Sequence, residues 1–238
     1  MASWKSHTLL DARDIARRFG ARWVLRGASI TVASGEVVGL LGANGSGKST
    51  FLRVLATLLR PNAGTATIAG YDIMREPDAV RHNIGFLAHT PGLYDDLTAR
   101  ENLVFAAAML GSPAADIDGA LERVALIHVA DERVRGFSAG MQRRLAIARL
   151  ALSRPRVLLL DEPYSNLDTA GTVLMNSLIA DTVDAGGAAL VVLHELAPSA
   201  GVIDRLATVH DGRIASGRIA SGLDAAEAEP RLALVGAV

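Results

Sequence analysis

The chain has 238 residues, half of them apolar and 21% charged, with a mean hydropathy of +0.28 and a formal net charge of −1 from 24 basic and 25 acidic residues. That balance supplies no global basic field for nucleic acid or an anionic membrane surface, and the absence of cysteine excludes disulfide staples, thiolate metal sites and cysteine nucleophiles. No run approaches the ~18 apolar residues of a spanning helix and Met1 to Leu10 does not read as a secretory signal, so the length predicts one large α/β domain, with or without an inserted subdomain.

In chain order, His7 to Ile15 and Ala28 to Val32 suit short strands, with Phe19-Gly20 and Arg26-Gly27 as turn punctuation. Phe19 and Trp23 stand out where only 4% of residues are aromatic. Either ring could stack on an adenine, although Trp23 reads better as an anchor at a sheet edge. The run Val37 to Leu41 predicts a buried strand, and the segment from Lys48 to Leu59 a helix. Between them lies Gly42-Ala43-Asn44-Gly45-Ser46-Gly47-Lys48-Ser49-Thr50. Its glycines let the backbone turn N–H groups inward, and the following helix N-terminus adds free donors and a positive dipole end. Such a loop cradles phosphates, with Lys48 on the β- and γ-phosphates and the Ser49 hydroxyl on Mg²⁺.

Arg60-Pro61-Asn62-Ala63-Gly64 stops that helix, and Thr65 to Ala69 and Ile84 to Ala88 read as strands. A loop through His89 and Gly92 leads to Thr98-Ala99-Arg100-Glu101, a capping box that opens a helix to about Leu110. Gly111-Ser112-Pro113 breaks it, and a second helix runs through Leu121 to Leu126. No strand pattern occurs between Thr98 and Pro155, so this interval reads as a helical insertion in an otherwise alternating chain. Strand character returns at Val157 to Leu160, which ends in Asp161-Glu162. A helix from about Ala170 to Val183, a buried strand from Ala188 to Leu193 ending at His194, and a hairpin around Asp211-Gly212 follow. Gly-Arg-Ile-Ala-Ser-Gly is then read twice between Gly212 and Gly222, and the alanine-rich stretch from Leu223 to Val238 reads as a weakly held tail.

Apolar strands that end in functional groups place them at the carboxyl edge of a parallel sheet, where α/β folds bind ligands. Asp161 there can hold Mg²⁺ beside Ser49, Glu162 can polarise an attacking water as general base, and His194 can contact the γ-phosphate or that water. Ser138 and Gly140 open a helix through Leu145 to Leu150 and form a second anion site in the same chain. One nucleotide does not need two such helix ends from one domain. A head-to-tail pair resolves this, each nucleotide lying between the phosphate loop of one protomer and the Ser138 turn of the other.

With these motifs in place the chain resembles the ATP-binding cassette ATPases over nearly its whole length. Gly42 to Ser49 is similar to the family's Walker A loop, Val157 to Asp161 to its Walker B strand, and Glu162 to its catalytic glutamate. Phe137 to Met141 resembles the signature Leu-Ser-Gly-Gly-Gln, departing at Phe137, Ala139 and Met141 while keeping Ser138 and Gly140. Ser165-Asn166-Leu167-Asp168 resembles the loop that crosses the dimer interface, His194 the switch histidine and Phe19 the adenine-stacking aromatic. His89 stands where the family usually has a glutamine that senses Mg²⁺ and the membrane subunit. His89, Gly92-Leu93, Leu97-Thr98 and Glu101-Asn102-Leu103, with Ser138-Ala139-Gly140, Arg143-Arg144 and Ala148-Arg149-Leu150, resemble the haem-exporter branch, associated with cytochrome c maturation.

The resemblance implies an α/β P-loop NTPase fold of RecA-like type, with a mostly parallel core, N-terminal antiparallel strands and an inserted α-helical subdomain. Residues 1–222 would form the ATPase domain, the subdomain spanning about 90–154, and 223–238 the tail. It implies ATP and Mg²⁺ as ligands, with catalysis by Glu162, His194 and Lys48. Nucleotide contacts would come from Phe19, residues 42–50, His89, Ser138, Ala139, Gly140 and Asp168, and metal contacts from Ser49, Asp161 and His89. The implied partners are integral membrane transporter subunits and a second ATPase protomer, with no nucleic acid. The implied location is cytoplasmic, peripheral to the inner face of the cell membrane. A cassette protein acting on nucleic acid or the ribosome would usually add coiled-coil insertions or a second cassette, and this chain shows neither.

Overall fold

The computed structural model describes residues 7–111, 116–194, 196, 199 and 201–216. Its centre is three strands that are apolar on both faces: β3 (Val37–Leu41), β7 (Val157–Asp161) and β8 (Ala188–Val192). They pair in parallel with β6 (Ile84–Leu87) and β9 (Arg205–His210), and β10 (Arg213–Ser216) adds antiparallel, giving the order β10-β9-β3-β8-β7-β6. Continuous apolar runs are what a parallel sheet covered on both sides requires. The twofold period of a strand divides them: Val38, Leu40, Leu159, Leu190 and Val192 enter one core, while Val37, Leu158, Leu160, Ala189 and Val191 enter another.

The first core lies under a second, antiparallel sheet of order β2-β1-β4-β5, made of β1 (Thr8–Phe19), β2 (Arg22–Ala33), β4 (Ala63–Ile68) and β5 (Tyr71–Asp72), with α1 (Lys48–Leu55) sharing the same core. The second core is closed by α3 (Ala99–Met109), α4 (Ile117–Arg123), α5 (Ala139–Ser153) and α6 (Thr169–Asp184). The first three of these helices fall between β6 and β7 in the chain. Among the described residues no helix is long and apolar enough to cross a membrane.

Several local expectations are corrected. The two short N-terminal strands are instead twelve residues each, and Arg26-Gly27 is not a turn. The chain reverses at Gly20, whose φ of 58° suits a tight turn, while Asp14 at φ 51° and Gly27 at φ 98° sit where the register shifts. Bulges absorb those residues without ending the strands. The helix after the phosphate loop stops at Leu55 rather than Leu59, because Thr57 turns left-handed at φ 61°. The next helix of the insertion ends at Arg123, with Ala125 left-handed at φ 57°. β5 and α2 (Pro77–Asn83) were not anticipated. The Thr98 capping box is present in full: Thr98 Oγ1 accepts from the Glu101 N–H at 3.1 Å and Glu101 Oε2 accepts from the Thr98 N–H at 2.8 Å. Ser112-Pro113, the second copy of the Gly-Arg-Ile-Ala-Ser-Gly repeat, the boundary at 222 and the tail lie outside the described residues.

Candidate functional site

The carboxyl ends of β3 and β7 meet at a cavity of about 300 Å³. Asn44, Gly45, Gly47, Lys48, Ser49 and Thr50 line it from the phosphate loop and the start of α1, Glu162 from the end of β7, and Arg22 and Val24 from β2. Gly47 precedes α1 at φ 109°, and a Cβ there would stand 3.1 Å from the Val24 carbonyl oxygen. Glycine therefore serves both the left-handed turn and the close pass of β2. Lys48 is only 5% exposed, and its ammonium donates to the carbonyls of Gly42 at 2.6 Å and Ala43 at 3.1 Å. Burial pulls its pKa below the ordinary lysine value, against the attraction of Glu162 and Asp161.

Asp161 ends β7 and is 1% exposed. Its Oδ1 accepts from Ser49 Oγ at 3.1 Å, while Oδ2 is buried and has no hydrogen-bond partner. Burial raises its pKa above the ordinary aspartate value, against the Ser49 hydrogen bond. A hydroxyl and a carboxylate with an orphaned oxygen form a hard-oxygen pair that fits Mg²⁺, which takes one or two protein ligands and leaves other positions to phosphate and water. His89 is placed differently: its Nδ1 lies 3.4 Å from Glu162 Oε2, and imidazole suits Mg²⁺ poorly.

The raised pKa has a consequence for stability. A carboxyl that is more basic folded than unfolded stabilises the fold at low pH, and that contribution disappears as pH rises through its folded value. Once ionised, Asp161 therefore works against folding. Asp161→Asn, scanned by thermal unfolding without nucleotide at a pH where wild-type Asp161 is ionised, is expected to raise Tm relative to wild type. Mg²⁺-dependent hydrolysis is expected to fall to background in the same variant. A lowered Tm would contradict the account of the orphaned oxygen.

Glu162 sits one residue further on, at φ 52°, left-handed for a side-chain-bearing residue. That turn carries its carboxylate to the cavity wall. The carboxylate lies between two histidines, with Oε1 accepting from His194 Nε2 at 2.6 Å and Oε2 near His89. His194 follows β8 and is half-exposed. Lys48, Ser49, Asp161, Glu162, His89 and His194 are thus brought together. Phe19 is not among the cavity-lining residues; it is half-exposed at the end of β1 with the Arg17 guanidinium 4.8 Å from its ring centroid. Trp23 is also half-exposed, on the edge strand β2 of the antiparallel sheet, 5.7 Å from the Arg18 guanidinium.

Ser138 and Ala139 are exposed and Gly140 is partly so, and none of them lines the cavity. Ser138 caps α5, its Oγ accepting from the Met141 N–H at 3.3 Å, and the first turn of the helix holds no acidic residue. Asp168 caps α6 through the Gly171 N–H at 2.8 Å, and both its oxygens accept from Arg144 Nη2 at 2.7 Å. The Arg144 hydrogen bond first, and the Gly171 N–H second, hold its pKa below the ordinary value.

The sequence did not mark Arg22 and Val24 as cavity residues. Both fall between Phe19-Gly20 and Arg26-Gly27, read as two turns with no strand between them, whereas β2 already begins at Arg22. Nor did it mark Arg143, which is buried beneath the site. Its spacing from Ala146, Ile147 and Leu150, all buried, is helical, so its place on the inward face of α5 could have been read.

A family model described as ABC transporter matches residues 25–165. The chain is 40% identical over 203 residues to the cytochrome c biogenesis ATP-binding export protein CcmA 2 of Cupriavidus metallidurans, covering 84% of this chain and 96% of that protein. It is 37% identical over 232 residues to the daunorubicin resistance ATP-binding protein DrrA3 of Streptomyces coeruleorubidus, covering 96% of this chain and 73% of that protein. A solved ATP-binding subunit of an ABC transporter superposes with a TM-score of 0.83 at 28% identity, covering 97% of this chain and 95% of that one. With a phosphate loop between β3 and α1 and the Asp161-Glu162 pair at the end of β7, the chain belongs to the ATP-binding cassette family, as an ATP-hydrolysing subunit of an ABC transporter.

Proposed function

We propose that two copies of the chain close head to tail over two ATP molecules and drive an exporter, with cytochrome c-linked haem export as the first reading of its cargo. The observation that carries the catalytic part is the Glu162 carboxylate, held by His194 at the wall of the cavity that Lys48 lines. In this reading residues 42–50 cradle the phosphates, and Lys48 exchanges its Gly42 and Ala43 carbonyls for phosphate oxygens. Ser49 and Asp161 hold Mg²⁺, which when bound draws charge from the β- and γ-phosphates. Glu162 accepts the proton of the attacking water while His194 orients its carboxylate and contacts the γ-phosphate. Phe19 stacks on the adenine, and Ser138, Ala139 and Gly140 complete the partner protomer's site with Asp168 beside the dimer interface.

The proposed link to membrane subunits is the loop from His89 to Tyr94. Arg149 on α5 donates to the carbonyls of Pro91 at 2.8 Å and Gly92 at 2.6 Å, and the Asn102 side chain on α3 bonds both main-chain groups of Tyr94. Tyr94 and Phe105, in edge-to-face contact at 5.0 Å, are exposed here, as are Val104 and Met109 on α3. Exposed apolar groups of this kind suit a partner surface, here an integral membrane subunit that holds the chain at the inner face of the cell membrane.

Co-expression with candidate multi-spanning subunits tests this. The wild-type chain is expected to co-purify with its subunit and to show ATPase activity stimulated by it, whereas Met109→Glu with Phe105→Glu loses both and keeps basal hydrolysis. Failure of the wild type to associate with any candidate, together with salt-sensitive RNA or DNA binding, would contradict the transport reading. The 37% identity to a daunorubicin resistance protein favours a second cargo class, an amphipathic drug. Stimulation of the reconstituted transporter by haem or by such a drug separates the two.

A further inference from the structure

Arg143 heads the fully buried side chains among the described residues, at 1% exposure, and carries a charge that no step above uses. Its guanidinium donates from Nη1 to the Ala88 carbonyl at 3.1 Å, from Nη2 to the carbonyls of His89 and Glu162 at 3.3 Å each, and from Nε to that of Ser165 at 3.4 Å. These acceptors belong to three segments: the chain leaving β6, the turn after β7 and the loop that leads into α6. Each bond ends on a backbone carbonyl rather than a carboxylate, and burial pulls the Arg143 pKa below its ordinary value, against the more distant Glu162 and Asp161. A planar fork with five donors can reach carbonyls in all three segments at once, a wider span than the compact three-donor ammonium of a lysine covers.

We propose that Arg143 is a positioning residue that fixes the backbone at Glu162 and His89 to the helix carrying the Ser138 turn, so that a nucleotide seated on that turn sets where the Glu162 carboxylate stands. The left-handed Glu162 turn is the element it acts on. The Glu162 N–H donates to the Val192 carbonyl at 3.1 Å, and Arg143 takes the carbonyl on the other side of the residue. This rests on the reading of Glu162 as general base.

The test measures Mg-ATP hydrolysis and fluorescent-nucleotide affinity for the full chain carrying Arg143→Met or Arg143→Lys, each alone and combined with Glu162→Gln. Arg143→Met is expected to lower kcat by about 10- to 100-fold, the cost of a misplacement near 1 Å. KM and nucleotide affinity should stay within about threefold, as for an interaction felt only in the transition state. Arg143→Lys should recover part of the rate, and neither variant should slow the Glu162→Gln protein further. An unchanged kcat, a parallel loss of affinity, or an equal fall in both backgrounds would overturn the proposal while leaving the Glu162 reading intact. Normal turnover by Glu162→Gln alone would overturn the general-base reading and this proposal with it. If Arg143→Met does not fold, Arg143→Lys carries the same comparison.

Discussion

Glu162→Gln is expected to lower kcat by about 10²- to 10⁴-fold, the range of a lost general base, while ATP affinity stays near wild type. The substitution keeps the volume of the side chain and a carbonyl oxygen that can still accept from His194 at the present 2.6 Å contact. What it removes is the oxygen able to take a proton. Lys48, Ser49 and the glycine turn at Gly47 are untouched, so the determinants of phosphate binding remain. The expected signature is a protein that holds ATP in a closed dimer and does not release phosphate. Single-turnover phosphate release measures it, and a wild-type rate would remove Glu162 from the chemistry.

Ser138→Arg is expected to abolish the ATP-dependent dimer and reduce hydrolysis to background, although Ser138 lines no part of its own protomer's cavity. The exposed N-terminus of α5 has no acidic residue in its first turn, so its partial positive charge is uncompensated within the protomer. An arginine there removes the cap, a local cost of about 0.5–2 kcal/mol, and blocks the turn with a long side chain. Monomer stability should therefore fall only slightly while dimerisation fails. Light scattering with Mg-ATP, in the Glu162→Gln background that prolongs the closed state, reads this directly.

The buried strands were legible because β3, β7 and β8 are short runs apolar on both faces, bounded by turn residues or carboxylates, as a parallel sheet covered on both sides requires. The phosphate loop was legible because its glycines, lysine and hydroxyl residues are contiguous in sequence. The N-terminal hairpin was not, since the bulges at Asp14 and Gly27 imitate strand ends. Helix ends at Thr57 and Ala125 were missed because left-handed residues with side chains leave no compositional mark. Nor could the sequence show that Glu162 is turned left-handed between two histidines from separate segments, or that Arg143 ties those segments together. Both depend on contacts between residues 19 to 73 positions apart.

In the proposed head-to-tail dimer the Gly42 to Thr50 loop is half of a site completed by another protomer. Mixing Lys48→Ala with Ser138→Arg separates the two halves, since neither variant alone can assemble an intact site. In a mixed head-to-tail dimer the Lys48 of one protomer faces the Ser138 of the other, leaving one intact site. ATP hydrolysis, absent from either variant alone, is expected to return on mixing. A mixture as inactive as its components would contradict the shared site.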